Sequence, residues 1–148
     1  MEFRRANIND VNVLVKFRKQ QLLDEGGVEL NNIDTELENY FLKNIPNNEF
    51  ISWLAIENNE IVATSGLCFY QIPPNFSNPS GNIGYITNIY TKNEHRKKGI
   101  SSKLLEKIIE EAKLLNCKVL RLHSSKDGKN IYKKYGFIDY EDFMQLRI

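Results

Sequence analysis

At 148 residues, 41% apolar and 26% charged, the chain has the size and composition of one soluble domain that buries a core without disulfide or metal. No apolar run approaches the ~20 residues of a membrane span, and the opening MEFRRANIND has no apolar secretory core, so a single cytoplasmic domain away from membranes is expected. The net charge of +1 exerts no global pull on nucleic acid, and Cys68, Cys117, His95 and His123 form neither a disulfide framework nor a zinc spacing, so neither nucleic acid nor metal is expected as a partner.

Residues 2–5 read as a first strand. Asn7 is then placed to cap a helix, with Asp10 three residues on in a capping-box position. Val11, Leu14, Val15 and Leu22 follow at helical spacing, which predicts a helix over 8–24 ended by Gly26-Gly27. Ile33, Leu37, Tyr40 and Phe41 predict a second helix over 33–44, with Pro46 beyond its end. The period then changes. Phe50–Glu57 and Glu60–Tyr70 are β-rich, and Asn58-Asn59 between them tolerates the positive φ of a tight hairpin. QIPPNFSNPSGN (71–82) is a proline-rich loop, and Ile83–Thr91 a further strand. Ile100, Leu104, Leu105, Ile108, Ile109, Ala112 and Leu115 form an apolar stripe that predicts a long helix over 100–116. A strand over Lys118–Ser124, a short helix over 128–135 stopped by Gly136, and a last strand over Phe137–Ile148, broken near Asp142, complete the chain. The order β-α-α-β-β-β-α-β-α-β predicts an α/β domain (an α+β mixed sheet).

The chemistry concentrates where Ile83–Thr91 meets the long helix. Residues 92–103 hold five cations (Lys92, Arg96, Lys97, Lys98, Lys103) against one acid, Glu94. A basic cluster in a neutral protein suggests a small anionic ligand. The first N–H groups of a helix lack internal acceptors and, with the macrodipole, attract anions. Gly99, without a Cβ, lets backbone approach a ligand closely. Neither GxxxxGK[ST] nor GxGxxG occurs, so a P-loop nucleotide or a Rossmann dinucleotide is not expected.

Arg96-Lys-Lys-Gly99-Ile-Ser101 resembles the Arg/Gln-x-x-Gly-x-Gly/Ala motif of the GCN5-related N-acetyltransferase (GNAT) superfamily. Ser101 departs from the usual Gly or Ala but is small. A second segment, Ile131-Tyr132-Lys133-Lys134-Tyr135-Gly136-Phe137, resembles the family's Leu-Tyr-x-x-x-Gly-Phe. Seven and four residues before that tyrosine the family often has Asn and Ala, where this chain has Ser125 and Gly128. The resemblance implies a GNAT-like fold and acetyl-CoA as cosubstrate. It implies a coenzyme site from the end of the preceding strand (Ile89, Tyr90, Thr91), the loop (Arg96, Lys97, Lys98, Gly99), the helix start (Ile100, Ser101, Ser102) and Ser125. It also implies that Tyr132 is the general acid for the departing thiolate. The alternative for Tyr132 is a tyrosine packed against the sheet, as read for Tyr135. A phenol near pKa 10 is protonated at neutral pH and can donate to a sulfur that gains charge.

The implied reaction transfers acetyl to a primary amine of a small molecule or peptide. An amine of pKa ~10.4 is almost wholly protonated at pH 7, a penalty of roughly 4.6 kcal/mol, so a base or a water leading to one helps. His123 is a candidate base or orienter, and Asn88 can orient a water. Cys68 and Cys117 read as small buried hydrophobes, and GxSxG is absent, so direct attack by the amine is expected. In this family the loops near 24–33 and 71–82 wall the acceptor cleft. The first holds Asp24, Glu25 and Glu29, which would attract a cationic amine, and the second Tyr70, Ile72, Pro73, Pro74 and Phe76, which could form an apolar wall. The competing function is an acyl-CoA sensor of the same fold that binds without turnover. A third reading is a phosphate-binding scaffold, and homodimer formation is expected by analogy alone.

Overall fold

Polar groups set the first turn of the chain. The structure is a computed structural model that describes residues 1–126, 128–140 and 144–148. After strand β1 (Glu2–Arg5), the Asn7 carbonyl oxygen of the side chain accepts from the Asn9 N–H (2.9 Å), and the Asp10 carboxylate accepts from the Asn7 N–H (2.8 Å). This capping box opens a 3-10 turn over Ile8–Asp10 that runs into helix α1 (Val11–Asp24). Asp10 also accepts two guanidinium hydrogen bonds from Arg4, both 2.8 Å, which hold its carboxyl below the usual range.

Helix α2 (Asp34–Asn44) packs beside α1. Val11 and Leu14 of α1 and Phe41 of α2 bury against Phe50 and Leu54 on one face of the sheet. On the other face lies helix α3 (Ile100–Leu114), whose Leu105, Ile108 and Ala112 pack on Ile51, Leu67 and Ile86. Three layers result, with apolar side chains alternating across the strands between them.

The sheet has six strands in the order β1-β3-β4-β5-β6, with β2 also on β4. They are β2 (Phe50–Ile51), β3 (Trp53–Glu57), β4 (Glu60–Gln71), β5 (Asn82–Thr91) and β6 (Leu120–Leu122). All pairings are antiparallel except β5–β6. Asn58 (φ 52°) and Asn59 (φ 63°) make the β3–β4 hairpin with both central residues left-handed, as the sequence predicts. The expected strand over Phe50–Glu57 is divided at Ser52, whose carbonyl accepts from Ala6 N–H (2.8 Å) just past the end of β1.

Two further features position the site. Thr64 pairs with Tyr90 but Gly66 with Thr87, so β5 carries an extra residue at this point. Asn88 sits in the bulge with φ 54°, a conformation Asn tolerates better than most residues. The second feature is the short parallel pairing of β5 with β6, which covers only Gly84–Ile86 against Leu120–Leu122. Gly84 permits it, since a Cβ there would lie 2.7 Å from Leu120 Cδ2.

Helix α4 (Lys129–Lys134) follows and ends at Gly136, φ 89°. The chain order differs from expectation at its end. Residues 137–140 and 144–148 form no strand, and Met144, Leu146 and Ile148 are exposed. Alternating apolar residues make strand formation available, but a strand exists only where a neighbour supplies a ladder, and β6 is three residues long. The break expected near Asp142 lies outside the described residues. No helix among the described residues is long and apolar enough to cross a membrane.

Candidate active site

The loop before α3 contains two left-handed residues. A 3-10 turn over Asn93–His95 leads into Arg96, and both Lys97 (φ 61°) and Gly99 (φ 77°) are left-handed. For a lysine that conformation costs about 1–2 kcal/mol. Gly99 is the N-cap of α3 and supplies no side-chain cap. The first helical bond runs from Lys103 N–H to the Gly99 carbonyl (3.2 Å), so the N–H groups of Ile100, Ser101 and Ser102 have no acceptor within the helix. A Cβ built on Gly99 would meet nothing within 4 Å. Three donors without a helical acceptor thus follow an open Gly99 at the positive end of a fifteen-residue helix.

The basic cluster is more neutral than its composition suggests. Arg96 pairs with Asp24 (2.7 Å), Lys92 with Glu60, and Lys103 with Glu106 (2.9 Å), while Lys98 lies 4.0 Å from Glu57. Lys97, exposed, has no carboxylate partner among the described residues. Arg96 also donates from Nε to the Thr91 carbonyl (3.0 Å) and lies over the Tyr90 ring (5.8 Å), so its charge is already committed.

The strand residues have separate roles. Tyr90 is buried against Phe17 of α1, with ring centroids 5.2 Å apart, and Ile89 packs toward α3. Thr91 is buried and its hydroxyl shares a hydrogen bond with Ser101 Oγ (3.1 Å), tying the strand end to the helix start. Past Ile86, β5 has no strand on its outer side among the described residues. That leaves a row of unpaired backbone groups facing the gap beyond β6.

Tyr132 lies on α4, half-buried and packed edge-on to Phe137, with centroids 5.9 Å apart. Burial raises its pKa first, and the Glu25 charge adds to that. Among the described residues its hydroxyl has no hydrogen-bond partner. Gly128 makes room for the ring, because a Cβ there would sit 3.2 Å from Tyr132 Cε2. Ser125 accepts from Gly128 N–H (3.1 Å) and so caps the turn before α4 with its hydroxyl. Tyr135 instead donates to Glu106 (2.8 Å) and tethers α4 to α3, in keeping with a packing role.

Tyr132, His123 and Tyr85 line one cleft of about 1350 Å³ beside β6, and the 96–102 turn lies outside that cleft. His123 Nδ1 and the Tyr85 hydroxyl are 2.8 Å apart. Tyr85 is the functional candidate that sequence reasoning passed over, since only the β5–β6 register brings it beside His123. Burial raises its pKa as well. Asn88 does not line the cleft: it is buried in the bulge, its side-chain oxygen accepting from Thr87 Oγ1 (3.1 Å) and its carbonyl from Thr64 Oγ1 (2.9 Å). Its backbone conformation makes it the bulge residue. Of the expected apolar wall only Tyr70 borders the cleft, and Phe76 is fully exposed. Asp24 pairs with Arg96 and Glu29 with Lys19 (3.2 Å), which also holds Asp34 at the start of α2 (2.7 Å), so within 24–33 Glu25 is the carboxylate without a cation partner among the described residues. It accepts from Gln21 Nε2 (3.1 Å). Burial raises the Cys68 thiol's pKa, which disfavours the reactive thiolate there, and Cys117 Sγ donates to the Val119 carbonyl (3.2 Å).

A sequence model described as "Acetyltransferase (GNAT) family" matches residues 14–137. No curated protein matches the chain. Among solved structures, a predicted acetyltransferase with acetyl-CoA from Clostridium acetobutylicum is 41% identical and superposes with a TM-score of 0.94, over 99% of this chain and 95% of that one. A GCN5-related N-acetyltransferase from Ralstonia eutropha JMP134 is 22% identical with a TM-score of 0.92, over 99% and 97%. Glucosamine-6-phosphate N-acetyltransferase from Arabidopsis thaliana is 20% identical with a TM-score of 0.73, over 99% and 97%. The last two share the fold.

Proposed function

The chain belongs to the acetyltransferase (GNAT) family, and from that premise we propose that it transfers acetyl from acetyl-CoA to a primary amine of a small molecule or peptide by direct attack. The observation that carries this reading is the turn at Lys97–Gly99, where three helix N–H groups without a helical acceptor follow a glycine open to its surroundings. Such donors suit a diphosphate. The acetyl-CoA held by the 41% identical neighbour supports the same coenzyme here. The unpaired outer edge of β5 suits the coenzyme's extended arm, which carries two amides able to pair with backbone groups.

Acetyl-CoA supplies an acyl group on a good leaving group. In this reading Tyr132, kept protonated by burial, donates its proton as the sulfur gains charge. Glu25 draws the cationic acceptor toward the cleft. His123, paired with Tyr85, receives or relays the amine's proton. The raised thiol pKa of Cys68 favours direct attack over an acyl-enzyme at that residue.

CoA release from acetyl-CoA with a panel of primary amines tests the reaction. Turnover with at least one amine is expected, and binding of CoA without turnover on any amine would instead make the protein a sensor. Lys97→Ala should weaken CoA binding by about three- to tenfold in low salt, and less as ionic strength rises. Lys98→Ala should do less, because Lys98 faces Glu57. Calorimetry over a salt series measures both, and equal losses would contradict the ranking.

A further inference from the structure

The structure assigns to Asp24 the role of positioning residue for the phosphate turn, acting through Arg96. The inference rests on the reading that this turn takes the coenzyme's diphosphate. A left-handed lysine persists only where its surroundings enforce it. The backbone hydrogen bonds of the turn, His95 N–H to Lys92 carbonyl (2.9 Å) and Arg96 N–H to Asn93 carbonyl (3.2 Å), end before Lys97. Lys98 beyond it lies 4.0 Å from Glu57, and the closest restraint on the side from which Lys97 departs is the side chain of Arg96. Its Nη2 donates to Asp24 Oδ2 (2.7 Å), its Nε donates to the Thr91 carbonyl (3.0 Å), and its plane lies over Tyr90. Tyr90 is itself wedged against Phe17.

Asp24 is the last residue of α1, and it is oriented too: its Oδ1 accepts from Gln20 Nε2 one helical turn back (2.8 Å). The rigid helix α1 therefore holds Arg96, and Arg96 holds the residue from which the left-handed turn departs. Arg96 is committed to the protein, so the motif arginine serves the ligand by keeping three backbone donors in place before the ligand arrives. Preorganisation of this kind appears as affinity, because the ordering cost is met before binding.

The alternative has the opposite sign. If Asp24 merely competed with phosphate for Arg96, removing its charge would tighten CoA binding. Calorimetry with CoA on the full chain separates the two. Asp24→Asn should weaken binding about three- to fivefold, the scale of one partly exposed ion pair. Arg96→Met should weaken it at least as much, and adding Asp24→Asn to Arg96→Met should change Kd by less than about twofold, because the carboxylate acts through the arginine. Asp24→Glu should recover binding to within about twofold of wild type, with unfolding temperatures within about 2 °C throughout. Unchanged or tighter binding in Asp24→Asn would overturn the inference, as would losses that multiply in the double variant. So would weak binding in both Asp24 variants with a lowered unfolding temperature, which would mark a purely structural residue. A wild type that fails to bind CoA would remove the coenzyme reading itself, and this inference with it.

Discussion

Tyr132→Phe should lower acetyl-CoA turnover with a competent amine about a hundredfold, the lower end of what a positioned general acid contributes, and leave the Kd for CoA unchanged. That loss corresponds to about 2.7 kcal/mol of transition-state stabilisation. The substitution keeps the ring, its packing on Phe137 and its fit against Gly128, and removes only the proton donor. The pH profile carries a second signature. Burial raises the phenol's pKa above its ordinary value near 10, so the acid form persists across neutral and mildly alkaline pH. The limb on which rate falls with rising pH through loss of this acid therefore belongs above pH ~10, and Tyr132→Phe should abolish that limb. Steady-state kinetics of CoA release measures both effects. Turnover within threefold of wild type would end the assignment of Tyr132 as acid.

Leu105→Ala should cost about 3 kcal/mol of folding stability and lower the unfolding temperature by about 6–12 °C. Leu105 is wholly buried where α3 meets Ile51, Leu67 and Ile86. Truncation there removes apolar contact and leaves a cavity between a helix and a hydrogen-bonded sheet, neither of which collapses readily. The same helix presents the N–H groups of Ile100–Ser102, so CoA should protect the variant against heat by an amount that rises with the logarithm of CoA concentration above its Kd. Thermal unfolding with and without CoA gives both quantities. A shift under about 2 °C for Leu105→Ala would mean that α3 is not seated as described.

The corrections all concern contacts between distant parts of the chain. Arg96 was readable as a motif residue, yet Asp24, seventy-two positions earlier, decides where its charge goes. The acidic loop was readable as charge, but Lys19 neutralises Glu29 and Asp34 and leaves Glu25 as the carboxylate whose charge Tyr132 feels. Asn88 was readable as a polar strand residue, whereas its left-handed backbone makes it the bulge residue between two stretches of β5 that both pair with β4.

What the amino-acid order determined by itself was local. The Asn7–Asp10 box, the Asn58-Asn59 hairpin, the α3 stripe, the left-handed Gly99 before it and the Gly136 stop all arise from interactions within a few residues, where sequence spacing is distance in space. The tertiary structure alone decided the register of β5 on β6, which joins Tyr85 to His123, and the fate of 137–140 and 144–148, which read as a strand in sequence but form none. A strand's two-residue period is the same at every register, so alternation states which faces are apolar and leaves the partner, the offset and the cross-strand neighbours to be settled by packing.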